Sequence, residues 1–295
     1  MNRTTANLLL LTAGAVWGMG FVAQATAMES VGPWTFIAAK FALAALSVLP
    51  FALAEGRRAA TPLARQAWVA FVVIGLFLFL ASITQQIGIV FTSVTNAGFL
   101  TGLYVVLTPI LGFVLMRARP HPIVWPAALA AFIGIVLLSG GSMTGINRGD
   151  VWMIVCAVFW AGQILLVGRY ALSSGRPLAL SCVQFAICAG CSALGAFLLE
   201  APSLDAMAGA WLEIVYGGVF ASGLAFTLQT IGQRYTTAAQ AAIFLSSEAL
   251  FAALFGVLLL GERIGPSGLF GCALIFAAML AVELGPIWLR RSQPG

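Results

Sequence analysis

The sequence contains very little charge. Of 295 residues only 14 are basic and 9 are acidic, so charged residues make up 8% of the chain, against about 25% in a typical soluble domain. Residues of the set AVILMFWYC make up 61%, and the mean hydropathy is +1.04. Too few polar side chains remain to cover a water-soluble fold. The composition therefore excludes a soluble enzyme, a disordered chain and a secreted disulfide scaffold, and it predicts a protein that crosses the membrane several times.

Groups that serve catalysis and nucleotide binding are also scarce. The single histidine, His121, lies in a predicted loop, so no histidine triad or histidine metal site forms within the membrane. The chain has no Gly-x-x-x-x-Gly-Lys-Ser/Thr phosphate loop, and its five cysteines fall within apolar segments, where packing is expected rather than disulfides. The basic residues do not cluster with aromatics as in nucleic-acid-binding proteins. We therefore expect no enzymatic activity, no cofactor and no nucleic-acid partner.

Long apolar segments separated by short polar breaks fill the chain. A helix that crosses a hydrocarbon core of about 30 Å needs roughly 20 mostly apolar residues. Ten segments meet this requirement, at about 5–26, 33–54, 67–90, 95–116, 123–140, 150–170, 177–199, 210–232, 239–260 and 266–288. Strands of a membrane β-barrel alternate polar and apolar positions, whereas these segments are apolar nearly all round. The sequence therefore predicts an all-α integral membrane protein with ten transmembrane helices.

The distribution of arginine predicts the orientation of these helices. With the N-terminus placed in the cytoplasm, eleven arginines fall at the inner ends of the helices, and only Arg148 and Arg263 fall at the outer ends. Cytoplasmic loops carry an excess of basic residues in membrane proteins. We therefore expect a multi-pass protein of the cell inner membrane with both termini in the cytoplasm, and we attribute the net charge of +5 to this asymmetry.

The second half of the chain repeats the first at a fixed spacing. A shift of 144 residues aligns polar and proline positions that apolar helices do not share by chance, such as Pro33/Pro177, Gln85/Gln229, Thr92/Thr236, Arg119/Arg263 and Pro122/Pro266. A shift of 143 residues aligns Trp17 with Trp160. Such self-similarity indicates an internal repeat. It predicts two units of five helices each, at 1–145 and 146–295.

Five helices per unit imply that the two units are inverted. Because five is odd, the second unit enters the membrane from the opposite side, and the charges agree, since Arg119 is predicted inside and its counterpart Arg263 outside. Inverted repeats are common in secondary transporters, whose substrate sites lie near the midplane between the repeats. The sequence therefore predicts transport by alternating access.

Two motifs resemble the EamA-type module of the drug/metabolite transporter superfamily. In the first unit, Thr92-Ser93-Val94-Thr95-Asn96-Ala97-Gly98-Phe99-Leu100 precedes Leu107-Thr108-Pro109; in the second, Leu245-Ser246-Ser247-Glu248-Ala249 precedes Leu260-Gly261-Glu262-Arg263. The first unit departs from the pattern, with Met116-Arg117-Ala118-Arg119 in place of the Gly-Glu-Arg sequence. The resemblance covers nearly the whole chain. It implies the ten-helix fold, an inner-membrane location and export of amino acids or other metabolites, with YddG-like amino-acid exporters as the nearest comparison.

Two charged side chains fall within the predicted spans. Lys40 lies about a third of the way along the second, and Glu248 lies near the centre of the ninth. A charge at the bilayer centre costs about 2.5–3.5 kcal/mol or more on insertion scales, so we expect both to face a cavity or a partner. Structural roles remain open, either in helix packing or through extension of the Lys40 amine to the outer interface. Glu248 is also a candidate for proton coupling.

Aromatic and polar residues recur at helical spacing in several spans. Such stripes suit a cavity for an amphipathic metabolite, because rings cover apolar surface while amides and hydroxyls bind polar groups. Aromatic residues in apolar helices also simply pack, and that alternative stays open. The predicted substrate site comprises Trp17, Gln24, Lys40, Phe79, Gln86, Tyr104, Trp160, Gln163, Ser222, Gln229 and Glu248.

These observations predict a secondary carrier that exports small metabolites, with amino acids, including aromatic ones, as the favoured class. An exporter of drugs or cationic compounds is the alternative, because Glu248 among aromatic rings suits a cation. A non-transporting scaffold is less favoured, since it has no need of Lys40 and Glu248 within the membrane. The expected partners are a small-molecule substrate and the lipid bilayer, and the sequence is compatible with a monomer.

Overall fold

A computed structural model of the chain describes residues 1–92, 94–138, 147–260 and 264–291, and these contain helices and no strand. The residues that are not described include residue 93, residues 139–146, which contain the predicted unit boundary, and residues 261–263 of the second motif. The helices are α1 (Arg3–Ala27), α2 (Pro33–Arg58), α3 (Arg65–Phe91), α4 (Val94–Thr101), α5 (Tyr104–Met116), α6 (Val124–Leu138), α7 (Arg148–Ser174), α8 (Pro177–Leu199), α9 (Leu204–Gly209), α10 (Trp211–Val215), a π-helical segment (Tyr216–Leu224), α11 (Ala225–Gly232), α12 (Ala238–Leu245), α13 (Glu248–Leu260) and α14 (Pro266–Arg291).

Within the described residues, eight stretches are long and apolar enough to cross a membrane. They include Trp211–Gly232, which contains the π-helical segment, and Ala238–Phe255, which joins α12 to α13. Two further apolar helices, Tyr104–Met116 and Val124–Leu138, are shorter and fall within the fourth and fifth predicted spans. The all-α membrane fold is therefore confirmed, while the orientation of the termini stays a prediction.

The fourth and ninth predicted spans are each interrupted by a turn. In the first unit the turn is Gly102-Leu103, between α4 and α5; in the second it is Ser246-Ser247, between α12 and α13. The same hydrogen bond closes both, since Leu103 N donates to Leu100 O and Ser247 N donates to Phe244 O, each at 3.2 Å. The interrupted positions are 144 residues apart, so the break is itself part of the repeat.

Local chemistry accounts for both interruptions. Gly102 has a high conformational entropy and disfavours a helix interior. The Ser246 hydroxyl donates to the carbonyl of Ile243 at 2.7 Å, and such side-chain bonds compete with the helix ladder. The sequence predicts continuous helices here because hydropathy does not detect a single-turn break.

Helices α2 and α8, which hold equivalent positions in the two units, run antiparallel and cap each other. At the end of α8, the Glu200 carboxylate accepts hydrogen bonds from two backbone N–H groups in the first turn of α2, at 3.0 and 2.9 Å. Near the end of α2, the Glu55 carboxylate does the same for the first turn of α8, at 3.2 and 2.9 Å. A carboxylate at a helix N-terminus is favourable because it accepts from unpaired N–H groups there.

The first helix of each unit packs on the third helix of the other. Gly88 in α3 lies against Gly149 in α7, and Gly232 in α11 lies against Ala6 in α1. A Cβ added at either Gly88 or Gly232 would lie 3.1 Å from the carbonyl oxygen of its neighbour. A side chain at either position would crowd the neighbouring backbone, so glycine is favoured twice, at equivalent close approaches. These shared contacts build the interface between the units, where the candidate site lies.

Candidate functional site

A cavity lies between the two units, near the middle of the long helices. The cavity has a volume of about 60 Å³. One bound water needs about 10–15 Å³ of such volume. The cavity thus holds a few waters and is smaller than an amino acid. The lining residues are Trp17, Gly20, Phe21, Gln24, Lys40, Ser82, Gln85, Thr101, Tyr104, Trp160, Ile164, Ala221, Ser222, Phe226, Gln229 and Glu248.

A cluster of aromatic rings forms one wall of the cavity. Phe226 is at its centre, stacked on Trp160 with centroids 5.5 Å apart and planes at 15°. Trp17 lies on Phe226 at 4.7 Å, and Phe41 and Phe185 lie within 6.2 Å of it from α2 and α8. The wall provides a large, rigid apolar surface with the ring faces that aromatic or cationic groups prefer.

Lys40 brings a positive charge into the cavity. It is the only lysine in the chain, and only 7% of its surface is exposed. Its Nζ lies 5.3 Å from the centroid of the Phe36 ring and 5.1 Å from that of Phe41. Within the described part of the chain, no carboxylate forms an ion pair with it. The charge is therefore supported by ring faces and available to an anionic group.

The π-helical segment lets the chain approach Lys40 closely. A Cβ added at Gly218 would lie 2.9 Å from the Lys40 carbonyl oxygen, so only glycine fits there. The Trp17 indole Nε1 donates to the carbonyl of Ala221 at 2.7 Å, and the Tyr216 hydroxyl donates to the carbonyl of Val16 at 2.6 Å. These two hydrogen bonds join α1 to the π-helical segment. Short π-helical segments within α-helices are frequent at functional sites.

Glu248 brings a negative charge, and its one side-chain partner among the described residues is Tyr104. The Tyr104 hydroxyl donates to Glu248 Oε1 at 3.2 Å, and both side chains are buried. The two residues are 144 positions apart, and each is the first residue after the interruption in its unit. The bond therefore joins equivalent positions across the interface. Glu248 also lies in the first turn of α13, where a negative charge is favourable.

Several buried polar atoms around the cavity have no hydrogen-bond partner within the described protein. They include Trp160 Nε1, Ser222 Oγ, Gln229 Oε1 and Gln24 Oε1. An unpaired buried polar group costs about 1–3 kcal/mol, so such groups are expected to bind water or a ligand. Two donors and several acceptors are thus available to a polar molecule.

Most of the predicted site residues line this one cavity. Eight of the eleven do so: Trp17, Gln24, Lys40, Tyr104, Trp160, Ser222, Gln229 and Glu248. The other three lie behind the wall. Gln163 accepts a hydrogen bond from Gln229, Gln86 donates to the backbone carbonyl of Gln24, and Phe79 packs on Trp34. The role of all eleven in substrate binding stays a prediction.

Eight further residues line the cavity outside the predicted set of eleven. Four of them, Phe21, Ser82, Thr101 and Phe226, lie in the aromatic and polar stripes that the sequence shows at helical spacing, whereas Gly20, Gln85, Ile164 and Ala221 do not. A signal for Gln85 was present, because it aligns with Gln229 in the repeat. Ser82 lies on the same helical stripe of α3 as Gln86, and Gln85, one residue before Gln86, lines the cavity. Helix rotation decides which of two adjacent glutamines faces inward, and apolar surroundings on all sides give no signal for it.

Comparison with known proteins identifies the relatives of the chain. The model of the EamA-like transporter family matches residues 4–140 and 147–284. The chain is 32% identical to an uncharacterized transporter of Archaeoglobus fulgidus, over 96% of this chain and 87% of that protein. It is 26% identical to the uncharacterized transporter YwfM of Bacillus subtilis, over 97% and 96%. A crystal structure 22% identical covers 99% of this chain and 100% of its own with a TM-score of 0.79, which shows a shared fold.

Proposed function

Since this chain belongs to the EamA-like transporter family, we propose that it exports zwitterionic metabolites, and amino acids with an aromatic side chain in particular. We propose further that it does so as a secondary carrier, by alternating access at the cavity between inverted repeats. Family membership makes it a membrane transporter; the substrate class and the mechanism are inferences from the cavity.

One observation carries the substrate class: the cavity contains one positive and one negative side chain, and no ion pair within the described part of the chain neutralises either of them. Among the described residues, the Lys40 amine lies near the faces of Phe36 and Phe41 and forms no ion pair, and Glu248 accepts one side-chain hydrogen bond, from Tyr104. Buried charges are stable only when paired or well hydrogen-bonded. An amino acid supplies a carboxylate for Lys40 and an ammonium for Glu248, so binding compensates both charges together.

The aromatic wall favours a ring or a large apolar group on the substrate. The stacked pair of Trp160 and Phe226, with Trp17 beside it, offers faces for offset or edge-on contacts. Because the cavity holds only a few waters, such a substrate requires the helices to move apart. A carrier that opens to one side and then the other undergoes such movement.

A cationic drug is the second candidate, because Glu248 and the rings also suit an organic cation. The positive charge of Lys40 disfavours a cationic substrate. A cation that enters the cavity leaves the lysine charge uncompensated and adds a second positive charge nearby, and like charges repel strongly in a medium of low dielectric constant. The zwitterion is therefore the better match to the described cavity.

Counterflow in proteoliposomes tests the substrate class with three related probes. Phenylalanine carries both charges, its methyl ester carries only the ammonium, and 3-phenylpropionate carries only the carboxylate. We expect phenylalanine to exchange and both single-charge probes to exchange poorly. Exchange of the methyl ester and of cationic dyes, with no exchange of any amino acid in a wider panel, would establish the drug exporter instead.

The same liposomes test the role of Glu248 in coupling. A pH gradient that drives uphill accumulation in the parent protein, but not in Glu248→Gln, would indicate proton coupling through this carboxylate. Equal transport at every gradient would indicate a uniporter. Glu213→Gln is the matched control, because Glu213 is a partly exposed carboxylate near the start of the same helical span as the π-helical segment and is absent from the cavity wall.

A further inference from the structure

The centre of the cavity follows the symmetry of the repeat. Ten lining residues form five pairs that occupy equivalent positions in the two units, 143 or 144 residues apart. These pairs are Trp17/Trp160, Phe21/Ile164, Ser82/Phe226, Gln85/Gln229 and Tyr104/Glu248. The central part of the wall therefore receives the same positions from both units, as expected for a site on the axis that relates them.

Beyond the centre the cavity extends on one side only. In the first unit, the extension is lined by Gly20, Gln24 and Lys40. Their counterparts in the second unit are Gln163, Val167 and Gln184, which do not line the cavity and have 0% exposure. The second unit contributes Ala221 and Ser222 to the same extension, since Ala221 lies 3.9 Å from a Cβ added at Gly20. The equivalent region of the second unit is filled.

Three glutamine side chains fill that region and bind one another. Gln229 Nε2 donates to Gln163 Oε1 at 3.1 Å, and Gln163 Nε2 donates to Gln184 Oε1 at 3.1 Å. The chain connects α11 to α7 and α7 to α8. At the corresponding positions of the first unit, glycine replaces Gln163 and lysine replaces Gln184, so no such chain of amides forms and the cavity extends there.

We infer that the second unit contains a latent counterpart of this extension, which the glutamine chain of Gln163, Gln184 and Gln229 holds closed. When the chain opens, Gln163, Val167 and Gln184 line the substrate path toward the opposite face, as Gly20, Gln24 and Lys40 line it here. The inference rests on the proposed alternating access, and it assigns transport-path residues on the second unit that the described cavity does not contain.

The ends of the glutamine chain explain how it opens without a large penalty. Gln184 Nε2 and Gln229 Oε1 have no hydrogen-bond partner within the described protein, although both residues are buried. Buried amides that are only partly satisfied gain little from burial. Water that enters the region binds these free groups as well as those released from the chain, which offsets part of the cost of breaking the two hydrogen bonds.

Thiol labelling in nanodiscs tests this inference without any substrate. Two reporters occupy equivalent positions: Gln24→Cys in the open extension and Val167→Cys in the closed one. A small charged methanethiosulfonate is added to both faces, and adducts are measured by mass spectrometry on the peptides that contain each reporter. In the parent background we expect fast labelling at position 24 and slow labelling at position 167.

The decisive variant is Gln163→Gly, which copies the residue at the equivalent position of the first unit. It removes both hydrogen bonds of the chain, and we expect labelling of Val167→Cys to rise about tenfold while labelling of Gln24→Cys does not rise, because a minor population that grows takes its share from the major one. Gln240→Leu is the matched control. It removes another buried glutamine, which donates to Val282 O at 3.1 Å between α12 and α14, and it leaves both rates unchanged.

Two outcomes would overturn the inference. Unchanged labelling of Val167→Cys in Gln163→Gly would show that the glutamine chain does not close a path. A rise at both reporters would show local loosening rather than alternation. Because no substrate is present, failure of the amino-acid assignment in counterflow leaves this test unaffected.

Discussion

Replacement of Lys40 by glutamine separates a substrate-binding lysine from a structural one, because the two roles predict opposite signs for stability. Glutamine is the natural choice, since Gln184 occupies the equivalent position in α8 and is fully buried there. Lys40→Gln therefore keeps a side chain that this helix geometry accommodates and removes only the charge and part of the length.

We expect Lys40→Gln to weaken binding of a zwitterion by about 10- to 150-fold. A hydrogen bond to a charged group contributes about 1.5–3 kcal/mol, and about 1.4 kcal/mol corresponds to a factor of ten in Kd. Binding of the methyl ester, which has no carboxylate, is expected to be unchanged or stronger, because the repulsive charge is gone. The measurement is the Kd of both probes in detergent, by isothermal titration or quenching of tryptophan fluorescence.

The empty protein is expected to become more stable in the same variant. A buried, unpaired ammonium loses several kcal/mol of hydration, and each of its two ring contacts returns about 2 kcal/mol of this loss. Thermal unfolding in detergent should therefore show a higher Tm for Lys40→Gln, with Arg169→Gln, the loss of an exposed charge, as the control. A lower Tm, together with an equal loss of affinity for phenylalanine and for its methyl ester, would refute this reasoning. Such a result would indicate that Lys40 is a packing residue.

Three further outcomes follow from single contacts. Tyr104→Phe removes the 3.2 Å hydrogen bond to Glu248, so we expect the empty protein to lose up to about 1.5–3 kcal/mol and to bind the methyl ester more tightly, measured as Tm and Kd. Glu200→Ala removes a helix cap, and a loss of about 1 kcal/mol is expected, larger than for Glu55→Ala because Glu200 also accepts from a threonine hydroxyl. Gly32→Ala places a Cβ against the Glu200 carboxylate, so its effect on Tm should not add to that of Glu200→Ala, whereas independent contacts would add.

Much of the fold could be predicted because membrane insertion imposes simple rules on the sequence. Helix length follows from bilayer thickness, and the ends are marked by prolines such as Pro33 and Pro177, each of which begins a helix in the structure. The internal repeat was visible because polar residues such as Gln85 and Gln229 are rare in apolar helices, so their coincidence at one fixed spacing is informative. These signals are strong since each polar residue in a membrane helix is costly.

The interruptions and the orientation of individual glutamines could not be predicted. A one-residue rotation of α3 exchanges the roles of Gln85 and Gln86, and in a helix that is buried on several sides no hydrophobic stripe decides between them. The π-helical segment was equally invisible, because it depends on glycines such as Gly218 that meet another backbone only in the folded protein. Packing between units therefore determined the details of the cavity, whereas local sequence determined the helices.

The repeat also explains why the site is both symmetric and one-sided. Equivalent positions meet across the interface where the two units must share a site, as Tyr104 and Glu248 do through a hydrogen bond. Away from that centre the two sequences have diverged in polar character, with Lys40 in one unit and Gln184 in the other. Both properties agree with the proposed alternating access, in which a common axis permits exchange between two packings and a single lysine orients a zwitterionic substrate. The most informative residues in this chain are therefore the polar positions at which the two repeats differ.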